Sequence, residues 1–194
     1  MSFGKYTHAI VSRVPRSFQT VPTVDGTCID LEKAQEQHEN LVLLLRNLGL
    51  DVLELAPDED NPLSVFVSDC AFVANGIALL CQPHHGNRKD EVSTLRSVLK
   101  KEVGGIAVEE LDTDNAMING SDILFTGQEM FVGIGSDTNT EGALCVANTW
   151  PEYPCTTIQL VGSKHLSDRI THVGNEILTV GSSQNCQILL RTRS

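Results

Sequence analysis

Three glycine turns at a nearly regular spacing constrain this chain more than any other feature. Gly76, Gly127 and Gly174 each sit between two short apolar stretches. After each comes a segment of helical character and then a further strand-like run, except in the last repeat, which breaks off inside its helix. Asn75-Gly76 is a strong hairpin signal, because both central residues of the favoured tight turn need positive φ. Self-similarity at such a period implies one repeated supersecondary unit, here strand–strand–helix–strand. The fold class is therefore α/β.

In detail, Val65–Val67 and Ala71–Val73 read as strand, followed by Ile77–Leu80 and a helix over about Arg88–Lys101. Val92, Leu95, Val98 and Leu99 share one face of that helix, Gly104-Gly105 ends it, and Ile106–Val108 is the next strand. The second unit opens with the polar run Asn119 to Asp122. It continues with strand Ile123–Phe125, a two-residue turn at Thr126-Gly127, strand Glu129–Val132, a helix from about Asn139 and strand Thr157–Val161. The third hairpin pairs Arg169–Val173 with Ile177–Val180 around Gly174-Asn175. Ahead of the repeats lie a strand at Thr7–Val14, a helix capped by Asp30 and stopped by Gly49, and a strand at Asp51–Leu55. Leu31, Ala34, Leu41, Val42, Leu45 and Leu48 follow helical spacing, with His38 on the same face as a packed histidine.

An aspartate precedes each hairpin: Asp69, Asp122 and Asp168. In a radial array of equivalent units such positions converge on the axis, so the three carboxylates would line one pocket. Aspartate is equally a common turn and cap residue, and the pattern alone leaves both readings open. The run Asn119–Asp122 divides the same way, between a binding loop held by a rigid scaffold and a solvated loop with Asx turns.

At 194 residues the chain is long enough to bury a substantial core as a single domain. A net charge of −11 without a Lys/Arg cluster argues against a nucleic-acid or anionic-membrane surface; it suits a small cationic ligand, and is equally a common solubility feature. No apolar run approaches the ~20 residues of a membrane span, and the N-terminus lacks a signal-type apolar block. The six cysteines, Cys28, Cys70, Cys81, Cys145, Cys155 and Cys186, form no CxxC pair and read as reduced thiols of a cytoplasmic protein. Cys81, His84 and His85 suggest zinc, but a structural site needs four ligands and no second cluster is spaced for it. No metal and no cofactor are expected.

The stretches Thr7–Pro15, Gly49–Asp60, Val65–Val73 and Asp114–Gly133 (DNAMINGSDILFTGQEMFVG), with His165-Leu166 and Gly181-Ser182-Ser183, carry a family resemblance over essentially the whole chain. It resembles dimethylarginine dimethylaminohydrolase, of the pentein superfamily of guanidino-group-modifying enzymes. The resemblance implies a pentein-type α/β propeller. It also implies hydrolysis of N-methylated arginines to citrulline and methylamines, a reaction tied to nitric-oxide regulation. His165 aligns with the proton donor of that reaction, Asp69 with a guanidinium-binding aspartate, and Phe66 with the aromatic residue beside it. Arg88 aligns with an arginine that contacts substrate, where the plain alternative is a solvated arginine at a helix start. Asp122 and Gln128 complete the candidate substrate-binding set.

The sequence also departs from the family pattern. Ser68 stands where the resemblance expects a glutamate, Leu63 an acidic residue, and Gln128 the arginine that pairs with the substrate carboxylate. Asn119 and Ser121 alter the Asp-Gly-Gly-Asp-like loop. The nucleophilic cysteine belongs to a fifth unit not found in residues 1–194, and nothing near Cys186 in sequence activates it as a substitute. The expectation is thus a single incomplete domain, with weak or no activity. The alternative is a non-catalytic protein that binds a guanidino ligand, forms a homodimer or associates with a full-length relative.

Overall fold

The computed structural model describes residues 6–23, 25–83, 88–111, 113–162, 165–174 and 177–182. His84, His85, Asn175, Ser183 and Cys186, singled out above, lie outside them. The chain divides into two compact units. One comprises Gly4–Val67 and Gly86–Glu91; the other comprises Met1–Phe3, Ser68–His85 and Val92–Ser194.

In the first unit, strand β1 (His8–Ser12) runs parallel to β2 (Asp51–Leu55), with His8 opposite Asp51 and Ser12 opposite Leu55. A parallel pair needs a crossover, which α1 (Leu31–Asn47) supplies. The Asp30 side chain accepts the Lys33 N–H at its start, and Gly49 leaves it at φ +85°. The expected apolar face is only partly used. Val42 is buried, whereas Leu41 and Leu48 are exposed. The more covered stripe runs through Ala34, His38, Val42 and Leu45, and Leu41 and Leu48 lie along its edge.

The second unit contains the repeat in the expected order. Strands β3 (Ala71–Ala74) and β4 (Ile77–Leu80) form a hairpin, α2 (Lys89–Glu102) follows, and β5 (Ala107–Glu109) joins β4 in parallel. Strands β6 (Ile123–Phe125) and β7 (Met130–Ile134), helix α3 (Thr140–Thr149) and β8 (Cys155–Gln159) reproduce that topology. Strands β9 (Ile170–Gly174) and β10 (Ile177–Val180) open a third antiparallel pair. The first hairpin turns on Asn75 and Gly76, both at positive φ.

Two expectations are corrected. Val65–Val67 is not strand: Pro62–Val65 and Val67–Cys70 are 3-10 turns. The Asn61 side chain accepts the Leu63 N–H and Pro62 supplies a fixed φ, and this local capping outweighs the apolar run. The second hairpin turn is longer than two residues, since Phe125 pairs with Met130. The Thr126 hydroxyl closes it by donating to the Glu129 carbonyl and accepting the Glu129 N–H.

The two repeats share a core of Leu79, Ile118, Met130, Val132, Val146 and Trp150. Trp150 is fully buried, meets Phe72 edge-on at 5.7 Å and donates its indole N–H to the Ala74 carbonyl at 3.2 Å. Gln82 and Ile118 form a bridge that brings the segment after β4 beside the loop before β6.

Candidate active site

The loop Met117–Asp122 is fixed by the start of α3. Asn139 caps that helix by accepting the Gly142 N–H and accepts the Met117 N–H as well, while its amide donates to the Asn115 carbonyl. A Cβ on Gly142 would lie 2.1 Å from the Met117 oxygen, so the helix start needs glycine for this approach. On the other side, a Cβ on Gly120 would lie 2.1 Å from the Ser68 carbonyl. The polar run is therefore no solvated loop. Asn119 and Asp122 are buried, and an Asx turn from Asn119 to the Ser121 N–H shapes it from within.

This packing sets Asp69 beside Ser121. The Ser121 hydroxyl donates to Asp69 Oδ1 at 2.7 Å. Its oxygen lies 3.3 Å from the Ser68 hydroxyl. Because the Ser121 proton is committed to the carboxylate, Ser68 is the donor in that contact.

Asp122 is 1% exposed, and both of its oxygens are engaged. Its Oδ2 accepts the Thr138 hydroxyl at 2.6 Å. Its Oδ1 accepts the Leu166 N–H at 3.1 Å and lies 3.1 Å from His165 Nδ1. A carboxylate only accepts, so Nδ1 carries a proton and Nε2 is the nitrogen left for chemistry. The hydrogen bond that His165 donates to Asp122 raises the His165 pKa above its ordinary 6.5; burial opposes this, and Asp122, Asp69 and Asp137 add to it by charge. The imidazolium is favoured in a half-buried position.

The other expected residues are placed differently. Asp168 is exposed and accepts the backbone N–H of His165, shaping that turn. Gln128 is exposed in the β6–β7 turn, at the opposite end of the hairpin from Asp122. In the first unit, Phe66 is exposed and meets Phe18 edge-on at 6.1 Å. Arg88 is buried, not solvated. It pairs with Glu91 through Nε and Nη2, the closest contact being 2.8 Å, and donates to the Phe66 carbonyl. Leu63 lies in the 3-10 turn that Asn61 caps. Thr138 and the Leu166 N–H were not foreseen. The sole signal for Thr138 is its place directly before the cap Asn139.

Among the described residues no group of three or more His, Cys, Asp or Glu side chains is placed to hold a metal. None of their helices is long and apolar enough to cross a membrane. Cys70 and Cys81 are fully buried beside the site. Burial, then Cys70, Asp69 and Asp122, push the Cys81 thiol far up, away from thiolate.

The family model for eukaryotic N,N dimethylarginine dimethylhydrolase matches residues 23–187. The chain belongs to that family. A human relative, the putative hydrolase DDAH2, is 35% identical over 191 residues, which are 97% of this chain and 66% of that protein. The chain thus spans about two thirds of that relative's length. The Pseudomonas aeruginosa dimethylarginine dimethylaminohydrolase is 30% identical over 114 residues, 59% of this chain and 44% of that one. A solved mutant of the Pseudomonas aeruginosa enzyme in complex with citrulline superposes with a TM-score of 0.82 at 24% identity, covering 95% of this chain and 74% of that one. The product-bound N-terminal domain of a cyanobacterial arginine dihydrolase gives 0.75 at 18%. The fold is the α/β fold of these enzymes, as the pentein resemblance implied.

Proposed function

We propose that this dimethylargininase-family chain binds a methylated arginine or a close guanidino relative at Asp69, with His165 on Asp122 as proton donor. We propose further that on its own it turns the ligand over weakly or not at all. The observation that carries the binding half is that one short loop holds the Asp69 carboxylate through Ser121 and the His165 ring through Asp122. A guanidinium needs carboxylate acceptors, and an amine leaving from it needs an acid nearby. An imidazolium whose Nδ1 is tied to Asp122 presents Nε2 as that acid.

The weak-turnover half rests on the thiols and on Ser68. A covalent route needs a thiolate, worth on the order of 10⁶ in kcat. The described cysteines beside the pair, Cys70 and Cys81, are buried, and Cys81 is held firmly as the thiol. Ser68 is bound to Ser121 as a neutral hydroxyl where the resemblance expects an acidic clamp. Each such charge-assisted contact contributes about 1.5–3 kcal/mol. Calorimetric titration with asymmetric dimethylarginine, followed by a citrulline assay on the same sample, tests both halves. Heat of binding that vanishes in Asp69→Asn, without citrulline, is the expected result. Absence of binding refutes the site, and citrulline formation abolished by His165→Ala refutes the lack of turnover.

A further inference from the structure

Thr138 lies outside every motif that points to this family, yet its hydroxyl is wholly committed between two groups of fixed polarity. It accepts the Asn119 N–H at 3.1 Å, and an N–H only donates. Its own proton therefore goes to Asp122 Oδ2, at 2.6 Å. Thr138 is 0% exposed and Asp122 1%, so no solvent replaces that donor. The acid consequently has divided duties: Oδ2 is satisfied by Thr138, and Oδ1 is turned to His165 and the Leu166 N–H.

We infer that Thr138 is a positioning residue of the His165 acid, taking up the charge on Oδ2 so that the proton shared across Oδ1 and Nδ1 stays on the imidazole. The inference rests on the reading of His165 as proton donor, but it is tested without ligand. Asp122, Asp69 and Asp137 act on the ring from the loops before β6, β3 and α3, and Asp168 holds its backbone N–H. All four remain when Thr138 is changed, so the change isolates one donor. If that donor is lost, charge stays on a buried oxygen with nothing to receive it. Protonating the His165–Asp122 pair then becomes more favourable, and the shared proton shifts from Nδ1 toward the carboxylate.

The experiment is an NMR titration of the whole chain with ¹⁵N-labelled histidine, comparing wild type, Thr138→Val and Thr138→Ser. In Thr138→Val the His165 midpoint should rise by about one unit, the equivalent of one charge-assisted hydrogen bond. Below that midpoint, the Nδ1 shift should move toward its neutral-ring value. Thr138→Ser keeps the hydroxyl and should titrate as wild type. A merely structural Thr138, whose loss lets the carboxylate turn away, would send the midpoint down toward 6.5 instead, and that outcome overturns the inference. An unchanged midpoint overturns it as well. Should Thr138→Val not fold, Thr138→Cys, with a weaker donor of similar size, reads the same sign. Calorimetry with asymmetric dimethylarginine reports separately on ligand binding, so either idea can fail without the other.

Discussion

At the scale of single residues, the His165–Asp122 pair links pH to stability with a definite sign. The folded-state pKa of His165 is raised above the ordinary 6.5. Its contribution is therefore fully present below about 6.5 and is lost as pH rises through the folded value. The urea midpoint of wild type should exceed that of His165→Ala most clearly near pH 6, and the gap should narrow by pH 9. A gap that widens with pH would mean the ring is held neutral. Gly120 is a second residue-scale case. A methyl there meets the Ser68 and Ala71 carbonyls at 2.1 and 2.9 Å, and both are backbone. Gly120→Ala should cost about 1–3 kcal/mol in denaturant titrations, in the range of overpacking, and should weaken ligand binding by moving Ser121 off Asp69. Unchanged stability and binding would show that the loop yields freely.

Elements show which parts of this structure sequence reading reaches and which it misses. The Asn75-Gly76 hairpin, the Asp30 cap, the helix start near Asn139 and the two complete strand–strand–helix–strand units were all legible, because each is decided within a few residues. The run Val65–Val67 misled, since Asn61 and Pro62 impose 3-10 turns that apolar periodicity does not see. Asp122 was recognisable as a candidate from its place before a hairpin, but not as a buried group. Its burial depends on Thr138 sixteen residues later and on Leu166 beyond β8. Arg88 read as a substrate-contacting arginine by resemblance, or else a solvated one at a helix start, and only the fold reveals the Glu91 carboxylate against it. Asn139 ties the legible and the illegible together, because the residue at the helix start read from sequence also holds the site loop at Met117. Asn139→Ala should therefore exceed the usual cap cost of about 1 kcal/mol. It should also shift the His165 NMR signals, whereas Asp30→Ala, at an ordinary cap, should cost about 1 kcal/mol and leave them unmoved.

At the scale of the whole molecule, charge sets a competition that salt can decide. The net charge of −11 works against the compact state through self-repulsion, which is screened once the Debye length falls to about 10 Å at 0.1 M salt. Exposed ion pairs act in the other direction, since screening weakens them. Among the described residues these include Arg46–Glu54 and Arg96–Glu110, each at 2.6 Å and each worth at most about 1 kcal/mol. The Arg88–Glu91 pair, with the arginine side chain only 2% exposed, is screened much less. The carboxylates outnumber the cationic side chains, 25 to 14, so relief of repulsion should outweigh the loss at exposed pairs such as these. Raising sodium chloride from about 10 to about 200 mM should accordingly raise the urea midpoint near neutral pH. A fall would mean that local pairs, not the overall charge, dominate the electrostatics of this fold. The double variant Arg46→Gln/Arg96→Gln should then abolish that fall.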